Sequence, residues 1–206
     1  MSTLLLAGSP SERSRSAALL DAVALRLAVR GVRAEHLHIR NLNPQALLLA
    51  DTGHHSIVQA VKQVEDANLL VVATPVYKAA YSGVLKVFLD LLPQSALQGK
   101  TVLPLATGGS PHHMLALDYA LRPVLQSLGA KHILPGIYAT DGQVALPPRG
   151  GLCRGARDQP AHRRGRAAVG QRSAARSGHV GRSHGALCAG AFLAGALQRV
   201  SPPRIS

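Results

Sequence analysis

The run LLVVAT at residues 69–74 is apolar almost throughout and is bounded by Asn68 and Pro75. A strand of this composition has no polar face to turn toward water, so the run predicts a central strand that is covered on both faces. This feature constrains the fold more than any other in the chain, because it requires helical layers above and below a sheet.

Four other strand-like runs alternate with helical patterns along the chain. The runs are TLLLA, RAEHLHI, TVLPLATGG and KHILPGIYATDG, and the helical patterns lie in AALLDAVALRLAVR, SIVQAVKQVEDA, YSGVLKVFLDLLP and HHMLALDYALRPVLQSLG. Strands and helices that alternate with short connections favour parallel βαβ units in a doubly wound sheet. In such a sheet, ligands bind beyond the carboxyl ends of the strands.

Charge divides the chain into two parts near residue 145. Residues 1–145 contain 12 Lys and Arg against 9 Asp and Glu, whereas residues 146–206 contain 11 Arg, no Lys and one acidic residue. We therefore expect one domain over residues 1–145 and an Arg-, Gly- and Ala-rich tail over residues 146–206. The net charge of +13 belongs mostly to the tail and says little about the domain.

The composition favours neither a membrane span nor a metal site. No apolar run reaches the about 18 residues that a membrane helix needs, and the chain begins with a strand-like run instead of a leader segment. Cys153 and Cys188 lack the spacing of a zinc site or a disulfide framework. The adjacent pairs His54–His55 and His112–His113 point apart on a helix or a strand, which makes poor metal ligands. The sequence predicts a cytoplasmic protein without a metal.

A polar loop, GSPSERSRS, joins the first strand to the first helix. The N–H groups and the dipole of a helix amino terminus attract anions, and hydroxyl and guanidinium groups add further donors. These features indicate a phosphate site. Because the loop has neither the GK[ST] of a P-loop nor the GxGxxG of a dinucleotide site, the ligand indicated is neither ATP nor tightly bound NAD. The alternative is an exposed serine-rich turn that caps the helix. The candidate donors are Ser9, Ser11, Arg13, Ser14, Arg15 and Ser16.

Two further loops follow strands at the same edge of the sheet. TPVYKAAYSG places Tyr77 and Tyr81 among small residues, and TGGS contains Gly108 and Gly109. Small residues let a flat ring approach the backbone, whose amide groups can bond to the polar edge of that ring. The alternative is that the tyrosines only pack their loop against the following helix. Together the three loops describe a pocket with a phosphate end and a flat ring end, which fits flavin mononucleotide (FMN).

Three segments carry a resemblance to a known family. LAGSPSERSRS, VVATPVYKAAYSGVLKVFLDLLP and LQGKTVLPLATGGSPHHMLALDYALRPVL resemble the NADPH-dependent FMN reductases of the flavodoxin-like superfamily, in particular the reductases of two-component alkanesulfonate monooxygenase systems. The resemblance covers about residues 1–145 and implies a flavodoxin-like doubly wound five-stranded parallel sheet. It also implies that the first loop binds the phosphate of FMN and that the other two loops bind its ring. The cofactor-binding residues so implied are Ser9, Ser14, Arg15, Ser16, Pro75, Val76, Tyr77, Lys78, Ala79, Ala80, Tyr81, Thr107, Gly108 and Gly109.

The resemblance further implies a homo-oligomer, either a dimer or a tetramer. Close relatives insert a tyrosine into the fourth helix, where it forms a π-helical turn at the subunit interface near the flavin. The matching residue is Tyr119, for which the alternative is a core or interface tyrosine without influence on turnover. Lys78 could meet the phosphates of NADPH, although a solvated loop lysine fits the sequence as well.

The implied reaction requires no catalytic side chain. Hydride transfer from NADPH to FMN is the chemistry of the two cofactors, so the protein need supply only geometry, hydrogen bonds and a dry pocket. Reduced FMN would then pass to a flavin-dependent monooxygenase of sulfur metabolism. Three alternatives stay open: a reductase that keeps its flavin and reduces a quinone or azo compound, a flavin-binding electron carrier without NADPH activity, and a nucleic-acid binder that uses the basic tail.

The tail begins where a closing helix is due. A doubly wound domain of five strands needs a helix after ATDGQVAL, yet LPPRGGLCRGARDQPAHRRGR has no helical periodicity. Arg, Ala, Gly and Pro have codons that begin with two G or C bases, so a GC-rich gene read in a shifted frame produces this mixture. We interpret the tail as frameshifted or disordered, so that the final helix is missing. Loss of this helix could impair the activity. A true basic extension is the alternative, but we expect neither a nucleic-acid nor a membrane partner.

Overall fold

The computed structural model describes residues 2–146 and shows a twisted sheet with helices on both faces. The strands are β1 (Thr3–Ala7), β2 (Ala34–His38), β3 (Leu69–Tyr77), β4 (Ala80–Tyr81), β5 (Thr101–Gly108), β6 (His132–Ile133) and β7 (Ile137–Thr140). The helices are α1 (Arg15–Val29), α2 (Pro44–Leu48), α3 (His55–Asp66), α4 (Gly83–Asp90) and α5 (Arg122–Ser127). Two 3-10 turns, Ile39–Asn41 and Pro111–Leu115, and one π-helical turn, Leu117–Leu121, complete the described elements.

The strand order is β2-β1-β3-β5-β6, and β7 continues alongside β5 beyond β6. All of these neighbours pair in parallel, and only β4 runs antiparallel, against the end of β3. The doubly wound parallel sheet predicted from the alternation of strands and helices is therefore confirmed. Because the order reverses between β1 and β3, the carboxyl ends of these two strands form the place where such sheets bind ligands.

The core consists of two layers, one on each face of the sheet. Leu4 and Leu6 of β1 pack with α3, α4 and α5 on one face, whereas Leu5 and Ala7 pack with α1 on the other. Successive side chains of a strand point to opposite faces, so a wholly apolar strand must be covered twice. Strand β3 is buried from Leu69 to Pro75, which confirms the prediction of a central strand buried on both faces.

The fifth strand is broken, which the sequence did not indicate. Leu134 N–H donates to the carbonyl of Val102 (2.9 Å), so that carbonyl faces the fifth strand, and residues two apart on a strand face the same way. Pro104 therefore faces the fifth strand as well, but it has no N–H to donate. The chain bulges at this level through Pro135 and Gly136 and resumes pairing at Ile137, so one predicted strand becomes β6 and β7.

Ser82 joins the central strand, the first loop and α4. Its hydroxyl accepts from Leu85 N–H (3.3 Å) at the start of α4 and donates to the carbonyl of Gly8. Its own N–H donates to the hydroxyl of Thr74 (3.0 Å). Since Ser82 and Thr74 are buried, these bonds replace hydration that the groups lose on folding.

Several expectations fall on residues that the structure does not describe. The tail over residues 146–206, its frameshifted or disordered character and the missing closing helix all lie outside the described residues, apart from Leu146. Within residues 2–146, no helix has the length and hydrophobicity required to cross a membrane.

Replacing Ser82 with alanine tests the role of this buried hydroxyl. Ser82→Ala removes a helix cap and leaves the buried carbonyl of Gly8 without its donor, so we expect the free energy of unfolding to fall by about 1–3 kcal/mol in urea titrations. Ser127→Ala is the control, because its hydroxyl donates to Val124 on the exposed side of α5, and we expect a change below about 0.5 kcal/mol. Equal losses in the two variants would contradict the assignment.

Candidate functional site

A cleft of about 210 Å³ opens at the carboxyl ends of β1, β3, β5 and β7. It lies where the strand order reverses, and it extends from the start of α1 to the turn after β7. Polar groups crowd its α1 end, whereas glycines and a short hairpin form the other end. The lining residues are Ser9, Ser11, Arg13, Ser14, Arg15, Pro75, Val76, Tyr77, Thr107, Gly108, Gly109, Asp141 and Leu146.

The α1 end of the cleft concentrates hydroxyl groups, guanidinium groups and the start of a helix. Ser9, Ser14 and Ser16 are buried, and the hydroxyls of Ser14 and Ser16 lie 2.7 Å apart in a hydrogen bond. Ser14 occupies the N-cap position of α1 with extended backbone, yet its hydroxyl does not cap the helix. The 15-residue helix α1 therefore begins beside the cleft without a capping bond from Ser14, and N–H groups at a helix amino terminus attract anions.

Arg15 is the first residue of α1 and, together with Arg13 of the preceding loop, gives this end of the cleft its positive charge. Its Nε donates to the carbonyl of Val144 (3.2 Å), and its Nη1 lies 3.4 Å from Oδ2 of Asp141. Both partners belong to the turn after β7, so Arg15 connects the beginning of the described chain to its end. The Arg15 side chain is about one-third exposed, which leaves it accessible to a ligand.

The second loop folds into a tight hairpin. Val76 and Tyr77 pair with Ala80 and Tyr81 in antiparallel fashion, and the two residues at the tip, Lys78 and Ala79, have φ values of 49° and 62°. Two-residue hairpins of this kind favour asparagine and glycine at the tip, and other residues there cost about 1–2 kcal/mol each. Backbone strain of this kind is concentrated at functional sites.

The strand end at Gly108 and Gly109 forms the floor of the other end. A Cβ on Gly108 would lie 2.5 Å from the hydroxyl of Tyr138, which donates to the carbonyl of Ser110 (2.6 Å). Only glycine fits there, because the tyrosine closes the space directly behind the backbone. Burial raises the pKa of Tyr138, and the nearby Asp141 carboxylate raises it further, so the phenol stays protonated as a donor at neutral pH.

The segment predicted as a single fourth helix consists of three pieces, the 3-10 turn at Pro111–Leu115, the π-helical turn at Leu117–Leu121 and α5. Pro123 cannot donate to the carbonyl of Tyr119, four residues earlier, and a π-helical turn accommodates this lost bond. The π-helical turn expected around Tyr119 is present. The Tyr119 side chain is 79% exposed, so it is not a core residue of the single chain.

The structure brings most of the predicted binding residues to one cleft, but not all of them. Ser16 lies beneath the lining and bonds to Ser14. Lys78 and Ala79 form the exposed hairpin tip, Ala80 forms the return strand, and none of the three lines the cleft. Tyr81 packs against the hydrophobic core, where burial raises its pKa. The remaining predicted residues line the cleft: Ser9, Ser14, Arg15, Pro75, Val76, Tyr77, Thr107, Gly108 and Gly109.

Sequence reasoning missed three residues of the site. Asp141 and Leu146 line the cleft, and Tyr138 supports Gly108 from behind. The signal was present in the sequence, because TDGQ follows the fifth strand in the same way that the three selected loops follow theirs. Asp141 is also the first residue of the turn that follows β7.

A larger groove of about 930 Å³ lies at the opposite edge of the sheet. It opens between β2 and α3, beside the amino-terminal ends of β1 and β2, and its rim mixes Arg33, Glu35, Lys62 and Asp66. Doubly wound sheets bind ligands at the carboxyl edge, and no glycine lines this groove. The amino terminus of α3 does reach it at His55 and Ser56, but the N–H of Ser56 already donates to Nδ1 of His54 (3.2 Å). Size alone therefore does not make it the functional site.

The fold and the cleft define the class: a flavodoxin-like α/β protein with a cleft at the carboxyl edge of a doubly wound sheet. Residues 1–145 match the family described as NADPH-dependent FMN reductase, and the chain belongs to this family. The predicted fold, enzyme class and pair of FMN and NADPH are those of the family and are confirmed.

Individual relatives agree with this assignment. The chain is 51% identical over 144 residues to the FMN reductase (NADPH) of Escherichia coli K12, which covers 70% of this chain and 75% of the relative. It is 49% identical over 140 residues to the FMN reductase (NADPH) of Pseudomonas putida KT2440, with coverages of 68% and 71%. Among solved structures, the apo form of an NADH:FMN oxidoreductase, EMOB, is similar with a TM-score of 0.67 and 46% identity over 69% of this chain and 76% of that one.

Substitution of Gly108 tests the close approach at the ring end. Gly108→Ala places a methyl group against the Tyr138 hydroxyl, so we expect at least about a tenfold loss of FMN affinity in flavin-fluorescence titrations. Adding Tyr138→Phe removes the atom that clashes, and the double variant should regain part of the affinity. Gly53→Ala, in a distant loop where a Cβ meets only Asp51 at 3.5 Å, should bind FMN normally. No rescue by Tyr138→Phe would refute this explanation.

Proposed function

We propose that the protein binds FMN in this cleft, reduces it with NADPH in the cytoplasm and releases it to a flavin-dependent monooxygenase. One observation carries the proposal: three buried serines and Arg15 surround the amino terminus of α1, directly beside the glycine-lined end of β5. Donor groups beside a glycine-lined strand end complement the two parts of FMN, which are an anionic phosphate and a flat ring.

The phosphate of FMN would bind to Ser9, Ser14 and Arg15, with Ser16 behind them. The donor set fits, because hydroxyls, a guanidinium and helix N–H groups are all donors and the phosphate is purely an acceptor at neutral pH. Ser9 is already shaped for this role, since its hydroxyl accepts from the N–H of Ser11 (3.2 Å) and holds the loop closed around the site.

The ring would lie between the hairpin and the strand end at Gly108. Val76 and Tyr77 form one wall, and Thr107, Gly108 and Gly109 form the other. Tyr138 keeps Gly108 in place through its bond to Ser110, and Ser82 keeps the first loop against α4. Rigid walls of this kind hold a planar ligand in one orientation, which favours reactions that depend on geometry.

When bound, FMN accepts a hydride from NADPH, and this is chemistry of the two cofactors. The chain contributes position and exclusion of water, and no side chain in the cleft needs to exchange a proton with the reacting atoms. Within residues 2–146, no group of His, Cys, Asp and Glu is arranged to hold a metal ion. Lys78 is exposed at the hairpin tip, where its ammonium group would bind the phosphates of NADPH.

A steady-state assay tests the proposal. Purified protein mixed with NADPH should oxidise it only when FMN is added, and the rate should saturate with free FMN. A rate that is insensitive to added FMN but rises with a quinone favours a reductase that retains its flavin. FMN binding without NADPH oxidation favours an electron carrier, and either result would overturn the proposal.

Arg15 should distinguish flavins by their phosphate. Arg15→Gln removes a charged donor, so we expect FMN to bind about 10–100-fold more weakly, whereas riboflavin, which has no phosphate, should change less than about threefold. Fluorescence titrations measure both constants. Arg33→Gln, at the opposite edge of the sheet, is the control and should bind both flavins like the unchanged protein. A parallel loss of FMN and riboflavin affinity would place the phosphate elsewhere.

We also propose that the protein forms a homo-oligomer through the π-helical turn. Met114, Leu115 and Tyr119 are more than half exposed and lie close together on the fourth helical segment. Methionine and tyrosine are enriched in protein interfaces. The π-helical turn also contacts β4 of the hairpin, so an interface here would adjoin the wall of the cleft.

Charge substitutions on this surface should dissociate the oligomer. Leu115→Asp combined with Tyr119→Asp places two carboxylates in the proposed interface, so we expect a smaller particle in light scattering after size-exclusion chromatography. Leu49→Asp is the matched control, because Leu49 is 67% exposed on another part of the surface, and its mass should not change. An unchanged mass in the double variant would exclude this surface as the interface.

A further inference from the structure

We propose that Asp141 lowers the affinity of the cleft for the phosphate of FMN and thereby speeds the release of reduced flavin. The inference rests on the proposed function, in which FMN leaves after each turnover. A reductase that delivers free flavin needs a phosphate site strong enough to select FMN and weak enough to release it. Asp141 supplies the opposing charge.

Asp141 lies at the phosphate end of the cleft and next to its ring end. Its Oδ2 is 3.4 Å from Nη1 of Arg15 and would be 3.9 Å from a Cβ on Gly109. The residue lines the same cleft as Ser9 and Ser14. A phosphate held by Arg15 and these serines would therefore share the arginine with a carboxylate.

The structure of the turn holds this carboxylate in place. The N–H of Asp141 donates to the carbonyl of Gly108 (3.1 Å), which extends the pairing of β7 with β5 by one bond. Gln143 closes the turn, because its N–H donates to the carbonyl of Thr140 (2.9 Å) and its side chain accepts from the N–H of Thr140 (2.8 Å). The position of Asp141 thus depends on backbone bonds and not on its own side chain.

Asp141 is not required to orient Arg15. The Nε of Arg15 is already bonded to the carbonyl of Val144, which belongs to the backbone and survives any side-chain substitution. The effect of the Asp141 carboxylate is then mainly its charge, which offsets that of Arg15 and repels a dianionic phosphate. The side chain is 46% exposed, so solvent screens this repulsion in part.

The charge effect is separable from the fold because asparagine has the shape of aspartate. In Asp141→Asn we expect FMN to bind about 3–10-fold more tightly, because the substitution removes one partly screened negative charge beside the phosphate site. Riboflavin carries no phosphate, and its affinity should change by less than about twofold. Asp141→Glu keeps the charge, so its preference for FMN over riboflavin should stay below that of Asp141→Asn. The dissociation rate of FMN in Asp141→Asn should fall by the same factor as its dissociation constant.

Asp66→Asn is the matched control. Asp66 also pairs with a cation, Lys62, at 3.1 Å and is 63% exposed, but it is the last residue of α3 and does not lie in the cleft. Its substitution removes the same charge from the protein while the phosphate site stays as it is. The affinities for FMN and riboflavin should both be unchanged.

Fluorescence titration of FMN and riboflavin against the four proteins, with stopped-flow dissociation of FMN, tests the inference. A raised preference for FMN over riboflavin in Asp141→Asn alone supports it. An unchanged preference, or weaker FMN binding in Asp141→Asn, overturns it, and the second result would mean that Asp141 orients Arg15. If the unchanged protein oxidises NADPH with FMN, but the preference for FMN over riboflavin is the same in all four proteins, only this inference fails. If it binds no flavin, the proposed function fails as well.

Discussion

Strand β3 is hydrogen-bonded on both edges and buried on both faces, and the rest of the structure depends on this arrangement. Its neighbours β1 and β5 run parallel to it, so all three strands end at one edge of the sheet. A connection between parallel strands returns over a face of the sheet, usually as a helix. The loops between each strand and its following helix therefore lie together at that edge. The cleft is built from those loops.

The cleft also depends on a contact between the two ends of the described chain. Arg15 opens α1, and its partners Val144 and Asp141 follow β7. The α1 end of the cleft is therefore complete only when β7 has joined the sheet. This end is coupled to folding of the whole described domain, and its charge balance combines residues that are far apart in sequence.

Part of the site follows from residue types in order along the chain. Ser9 and Ser14 after the first strand, and Gly108 and Gly109 after β5, were predicted because strand ends with small or polar residues mark the binding edge. Asp141 stands after the fifth strand by the same rule, but a single carboxylate in a turn has a local explanation that makes it easy to overlook. Its partner Arg15 becomes visible only in three dimensions.

Other features followed from contacts that no local pattern reports. Tyr77 and Tyr81 look equivalent in TPVYKAAYSG, yet the hairpin turns Tyr77 toward the cleft and packs Tyr81 against the core. The sequence by itself determined the layered fold, the edge of the sheet that carries the cleft, and the family, because hydrophobic periodicity and loop chemistry are local properties. Only the tertiary structure decided the break opposite Pro104, the shape of the hairpin and the pairing of Arg15 with Asp141, since each depends on which strands become neighbours.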